Sequence, residues 1–188
     1  MARISLTHEP ILRSQAGLLI LPVSDDGSVL DPVLARCKTL YPDNYLAYRR
    51  ACIDGGFKVG QCLVTKRQLE QSGLGANSTN NQPIYIANLA ATDHPYHPIR
   101  KRWLVETLQS LQPELIRLIR YDGLRRIALL ARPLIYAEYG QDTDNAAAQM
   151  RVPILDWQTE ILPMLTKAWQ DLPKVRIDIH VPKGIELT

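Results

Sequence analysis

The chain alternates between short, unbroken apolar runs and longer stretches in which apolar residues recur every three or four positions. Leu18-Leu19-Ile20-Leu21-Pro22-Val23 has no polar interruption and stops at Ser24-Asp25-Asp26-Gly27. Buried central strands followed by an exit turn have this pattern. Residues 62–65, 83–89 and 126–130 also read as strands, and residues 175–181 alternate cleanly, which predicts a half-exposed strand at a sheet edge. Between these runs the spacing turns helical. Val33, Leu34, Cys37 and Leu40 follow Asp31-Pro32, an N-cap with proline at the first helical position. Tyr45, Tyr48 and Cys52 share a face after Pro42, and Gly55-Gly56 closes that piece. Leu104, Leu108, Leu111, Leu115 and Leu118 predict a longer helix with one core face, which Pro113 is expected to kink. Ile161, Leu165 and Ala168 form a last helix, with Pro163 out of place. Strands alternating with helices predict an α/β layer architecture of about six strands.

The length of 188 residues fits one domain, 1–188, and its 46% hydrophobic and 22% charged residues exclude disorder, collagen-like repeats and coiled-coil rods. A net charge of +3 is too small to argue for nucleic acid by itself. Three cysteines, Cys37, Cys52 and Cys62, match no zinc-ligand spacing and read as small apolar side chains in a reducing compartment. The apolar run at 17–23 is too short to span a membrane. A cytoplasmic location and no membrane partner are expected. Residues 71–82, rich in Gly, Ser and Asn, are expected to form a mobile surface loop, and the irregular stretch 132–152 is a candidate functional loop.

Tyr41-Pro42-Asp43-Asn44-Tyr45-Leu46-Ala47-Tyr48-Arg49-Arg50-Ala51-Cys52, with Gly60 before the next strand, resembles the macrodomain family, and within it the DarG-type antitoxin macrodomains that remove ADP-ribose from DNA. Ile86-Ala87-Asn88, His94 and Asp156-Trp157 resemble further family positions. The resemblance implies a three-layer α/β/α sandwich around a mixed, largely parallel sheet. Its active loops depart from the family. Counted back from Tyr41-Pro42, the family's strand-end Asn-Thr-Val-Asn falls on Leu21-Pro22-Val23-Ser24 and its catalytic lysine on Asp31. The residue that meets the adenine falls near Pro10. The glycine-rich diphosphate loop falls on Ala131-Arg132-Pro133-Leu134-Ile135-Tyr136-Ala137-Glu138-Tyr139-Gly140, where Leu134, Ile135 and Tyr136 are expected to plug the pocket.

Three constellations carry candidate chemistry. Ser24, Asp25, Asp26 and Gly27, with Asn88, Tyr136, Glu138 and Gly140, are the candidate ligand-binding residues of a remodelled cleft. Asp31 and His94 are the candidate catalytic residues, either of which could be the substitute acid/base that a surviving hydrolase would need. The plainer readings are a turn with a helix cap for Asp31 and an irregular loop for Asp93-His94-Pro95-Tyr96-His97. Arg100, Lys101, Arg102 and Trp103 could touch a phosphate backbone, or simply form the solvated face of a helix.

The reading favoured is a macrodomain-like module that has lost ADP-ribosyl hydrolase activity and binds a protein or another ligand through its altered cleft. The alternatives are an ADP-ribose reader or DarG-type hydrolase, and an accessory factor associated with nucleic acid. ADP-ribose or a related nucleotide and a protein are the partners this admits, with nucleic acid the least favoured. No cofactor and no metal are expected.

Overall fold

A computed structural model describes residues 1–68, 82–135 and 154–187. Its frame is a six-stranded sheet in the order β1-β6-β5-β2-β4-β3. The strands are β1 (Arg3–Thr7), β2 (Leu18–Ser24), β3 (Cys62–Lys66), β4 (Tyr85–Thr92), β5 (Arg126–Leu130) and β6 (Arg176–His180). All neighbours run parallel except the β3–β4 pair. The expected mixed, largely parallel sheet is therefore present. The 71–82 loop, apart from Gln82, lies outside the described residues.

Period-two geometry in β2 explains its unbroken apolar run. Leu18 and Ile20 enter the core on one face, packed with Leu104, Leu108, Leu111, Leu115 and Trp169. Leu19, Leu21 and Val23 enter a second core with Leu34, Cys37, Tyr48 and Phe57. A strand buried on both faces has no polar positions to spare. The first face is covered by α3 (Lys101–Tyr121) and by a π-helical turn, Trp157–Ile161, that continues as α5 (Leu162–Trp169). The second is covered by α1 (Pro32–Leu40) and α2 (Pro42–Ile53). A four-residue helix, α4 (Arg132–Ile135), follows β5.

Asp31 caps α1 with Pro32 at its first position, as the sequence predicts. Asp156 caps the π-helical turn by accepting from the Thr159 N–H at 2.7 Å. The wide turn delivers Pro163 to the first turn of α5, where a missing N–H costs no intrahelical bond. Pro113 lies within α3, which runs unbroken through it; its ring stands on the exposed side, away from the row Leu104, Leu108, Leu111 and Leu115. Each of those leucines contributes about 2 kcal/mol by leaving water.

One expectation is corrected. β6 is not an edge strand: it pairs with β1 on one side and β5 on the other. The alternation of Arg176, Asp178 and His180 marks a polar face, and part of that face is bonded within the protein. Ser5 Oγ donates to Asp178 Oδ1 at 2.7 Å, and His180 Nδ1 lies 2.7 Å from the Glu9 carbonyl. The edge belongs to β1, whose alternation near the N-terminus is equally regular and to which the sequence reading assigned no strand.

Candidate functional site

The parallel strands β2, β4 and β5 end on the same side of the sheet, and the loops leaving them meet there. In α/β sheets this is where ligands bind. Ser24, Ser28 and Asp31 from the β2–α1 connection form one wall of a cleft, Thr92, Pro95 and His97 from the β4–α3 connection another, and Pro133 of α4 closes it. The described residues enclose about 50 Å³. A complete small-molecule site occupies roughly 300–1,000 Å³. The space among the described residues is thus well short of a complete site and takes a water or a few ligand atoms.

The β2–α1 wall is built by its own side chains. Asp26 Oδ1 accepts from Ser24 Oγ at 2.5 Å and from the Ser28 N–H at 2.9 Å, closing a tight turn. Burial alone would raise the Asp26 carboxyl, but donors from Ser24 and Ser28, with His94 behind them, outweigh it and hold its pKa below the ordinary value. Gly27 takes φ +81°, in the left-handed region that favours glycine. Tyr48, buried in α2, donates its hydroxyl to the Ser24 carbonyl at 2.7 Å. The Asp25 N–H donates to the Thr92 carbonyl at 3.0 Å, and its Oδ2 accepts from the Val59 N–H at 3.2 Å.

Asp31 is buried, and both its carboxylate oxygens are engaged. Oδ1 accepts from the Val33 and Leu34 N–H groups at 2.8 and 3.2 Å, capping α1. Oδ2 accepts from Arg132 Nε at 2.6 Å, an ion pair that ties the loop after β2 to the helix after β5. The Asp31 charge also reaches Cys37: burial first, then that carboxylate, pushes the thiol up to about 12. Cys37 and Cys52 lie buried in the second core, as small apolar residues do.

The β4–α3 loop holds two histidines with different fates. His94 Nδ1 accepts from the Tyr96 N–H at 3.2 Å, which places the proton of the neutral ring on Nε2, 3.7 Å from Asp26 Oδ2. His94 thus faces the β2–α1 turn. His97 Nδ1 lies 2.8 Å from Asp93 Oδ1. A carboxylate only accepts, so Nδ1 carries the proton. His97 lines the cleft, and its Nε2 has no hydrogen-bond partner among the described residues. Asp93 therefore orients His97 and not His94.

Other candidates stand elsewhere. Asn88 does not face the cleft: it lies buried under α2, its Nδ2 donating to Asn44 Oδ1 at 2.7 Å while Asn44 Nδ2 returns a bond to Asn88 Oδ1 at 3.2 Å. Thr65 Oγ1 also donates to Asn44 Oδ1, at 2.7 Å. The Asn in the Pro42-Asp43-Asn44-Tyr45 motif is thus a scaffold residue. Leu134 is buried in the α3-side core with Ile135 against it, so Pro133 is what reaches the cleft. Tyr136, Glu138 and Gly140 lie outside the described residues. At the start of α3 the basic residues have partners: Arg100 stacks over Trp103 at 4.4 Å, Lys101 Nζ lies 3.8 Å from Glu160, and Arg102 Nε donates to Glu106 at 2.7 Å. Among the described residues no group of three or more His, Cys, Asp or Glu is placed to hold a metal, and no helix is long and apolar enough to cross a membrane.

The sequence reading did not name Arg132, which reaches the cleft wall through Asp31, as a site residue; it weighed both histidines of the Asp93–His97 cluster as ligands or a general base and kept only His94 as a candidate. Arg132 carried no local signal, since its partner Asp31 lies 101 positions away. His97 did carry one, an Asp four residues before it.

No family model matches the chain. A DNA ADP-ribosyl glycohydrolase of Thermus aquaticus is 30% identical over 101 residues, 54% of this chain, and the match spans only 25% of that relative. Among solved structures, the macrodomain of Thermus aquaticus DarG superposes with a TM-score of 0.68 at 24% identity, covering 97% of this chain and 100% of that one. Thermosipho africanus DarTG in complex with ADP-ribose gives 0.70 at 17% identity, over 99% of this chain and 43% of that one. With its six-stranded mixed sheet between two helical layers, the chain has the macrodomain fold, and DarG-type macrodomains are among its neighbours.

Proposed function

We propose that the chain binds ADP-ribose, or a nucleotide carrying it, in the cleft where β2, β4 and β5 end, and that the lysine-dependent hydrolysis implied by the family resemblance has been lost at Asp31. The observation that carries this reading is the state of the Asp31 carboxylate. One oxygen caps α1 and the other pairs with Arg132, so protonating this carboxylate in a reaction would weaken the cap or the ion pair that holds the loop. The cleft's place at the ends of parallel strands, and a neighbour of the same fold in complex with ADP-ribose, support the choice of ligand. The changes in the loops that would meet the diphosphate, Leu30 and Pro32 beside Asp31 and Arg132-Pro133 after β5, argue for a binding mode that leans less on backbone N–H groups.

Calorimetric titration with ADP-ribose tests this. Heat fitting a micromolar dissociation constant, about −8 kcal/mol, is the expected outcome. No heat and no thermal shift up to millimolar ligand would sink the nucleotide reading and turn the search to a protein partner. Asp31→Asn, which keeps a capping oxygen, is expected to hold the affinity within about threefold.

A further inference from the structure

The half-buried pair Asp93–His97 is an acid–base arrangement in which a histidine that lines the cleft keeps one ring nitrogen uncommitted among the described residues. Asp93 follows directly on β4, and His97 comes four residues later on the loop that leads to α3. The Nδ1–H of His97 donates to Asp93 Oδ1 at 2.8 Å, which fixes the ring and its tautomer and leaves Nε2 as a bare lone pair. Across the cleft stand Ser24, Ser28 and Asp31. The titratable groups around His97 are Asp93 and His94 of its own loop, the rings of the two histidines 5.1 Å apart, and, on the facing wall, Asp31 held by Arg132. The other histidine of the loop has both nitrogens engaged or turned to Asp26. Asp26 and Asp31 spend their oxygens on backbone N–H groups, serines and an arginine, and Asp25, whose Oδ2 accepts from the Val59 N–H, is not among the residues that line the cleft.

We infer that His97 is the acid–base catalyst of this cleft and Asp93 its positioning residue, and that the bond they act on is the one joining C1″ of an ADP-ribosyl group to its acceptor. The inference rests on the ADP-ribose reading above. His97 Nε2 takes a proton from water as the water oxygen bonds to C1″. The bond from C1″ to the acceptor atom breaks, and its electron pair leaves with the acceptor. The acceptor then takes the proton from the imidazolium, so that water is consumed, free ADP-ribose and protonated acceptor are released, and His97 returns to its neutral form. Asp93 stabilises the imidazolium while it exists, without itself being protonated. Positioned acid–base catalysis of this kind contributes on the order of 10²–10⁴ in rate.

The full chain is tested against an ADP-ribosylated oligonucleotide with release of free ADP-ribose as the readout, alongside calorimetry with ADP-ribose. Wild type is expected to bind and to release. His97→Ala and the similarly sized His97→Gln are expected to lose about 100-fold or more in kcat while ADP-ribose affinity stays within about threefold, and added imidazole to restore part of the His97→Ala rate. Asp93→Asn should lower kcat about tenfold at unchanged KM, as loss of orientation does. Binding without release in wild type, or full rate in both His97 variants, overturns the catalytic assignment and leaves the binding reading standing. Loss of rate together with loss of binding in both variants marks a merely structural histidine and overturns it too. Neither binding nor release in wild type removes the ADP-ribose reading, and the assignment with it.

Discussion

Two loops leave the same end of the sheet and use their polar residues in opposite ways. The β2–α1 connection holds Asp25, Asp26 and Asp31, and each carboxylate is used in building: Asp25 accepts from the Val59 N–H before β3, Asp26 from the serines of its own turn, and Asp31 from the start of α1 and from Arg132. The β4–α3 connection holds a single carboxylate, Asp93, and it orients a histidine whose second nitrogen is left over among the described residues. Density of acidic residues is therefore a poor guide to chemistry. What separates a building residue from a reactive one is whether any donor or acceptor capacity remains after the backbone has been satisfied.

The sharpest way to break this contrast is at Asp31. Asp31→Ala removes an N-cap and the ion pair to Arg132, which together should cost about 2–4 kcal/mol. For a chain of this size that is a fall in Tm on the order of 8 °C. Asp31→Asn keeps the capping oxygen and loses only the ion pair, so it should fall by less than half as much. Equal losses in the two variants, followed by thermal unfolding, would mean that the Arg132 contact carries the whole effect and that the cap adds nothing.

A smaller effect is expected under α2. Asn88→Ala strips Asn44 of a donor and an acceptor in a buried setting, which should cost about 1–3 kcal/mol. Because Asn88 lies beneath α2 and not on the cleft, its ADP-ribose affinity should match that of wild type once the variant is measured below its unfolding temperature. A titration in which affinity falls along with stability would place Asn88 back among the ligand contacts.

The fold was legible because its signals are local. The six apolar residues from Leu18 to Val23 announce a strand buried on both faces, Asp31-Pro32 announces a helix start, and the leucine row of α3 announces a core face. The motif around Asn44 resembled a family for the same reason: the polar residues it fixes hold α2 to β3 and β4. The edge assignment failed because alternation reports polarity of a face, and a face can be satisfied by a neighbouring strand as well as by water. The site was less legible. Asp31 and Arg132 meet only through the fold, and His94 and His97 look equivalent in sequence until the Tyr96 N–H and the Asp93 carboxylate claim different nitrogens.

The smallest expected effect is on the turn itself, and its sign can be worked out. Asp26 has its pKa held below the ordinary value of 3.8 in the folded chain, where hydrogen bonds from Ser24 and Ser28 overcome the rise that burial would cause. In the unfolded chain those donors are gone, so the unfolded state binds the proton more readily. The stability that Asp26 contributes is therefore fully present above the unfolded value and is lost as pH falls through the lower folded one. Asp156, lowered by its hydrogen bonds from Thr159, acts in the same window and the same direction. Urea midpoints measured downward from pH 5 should then fall in wild type and fall less steeply in Asp26→Asn, with the slope that remains owed in part to Asp156. Parallel slopes in the two proteins would show that the serines do not favour the charged carboxylate, and that the turn is held by its backbone alone.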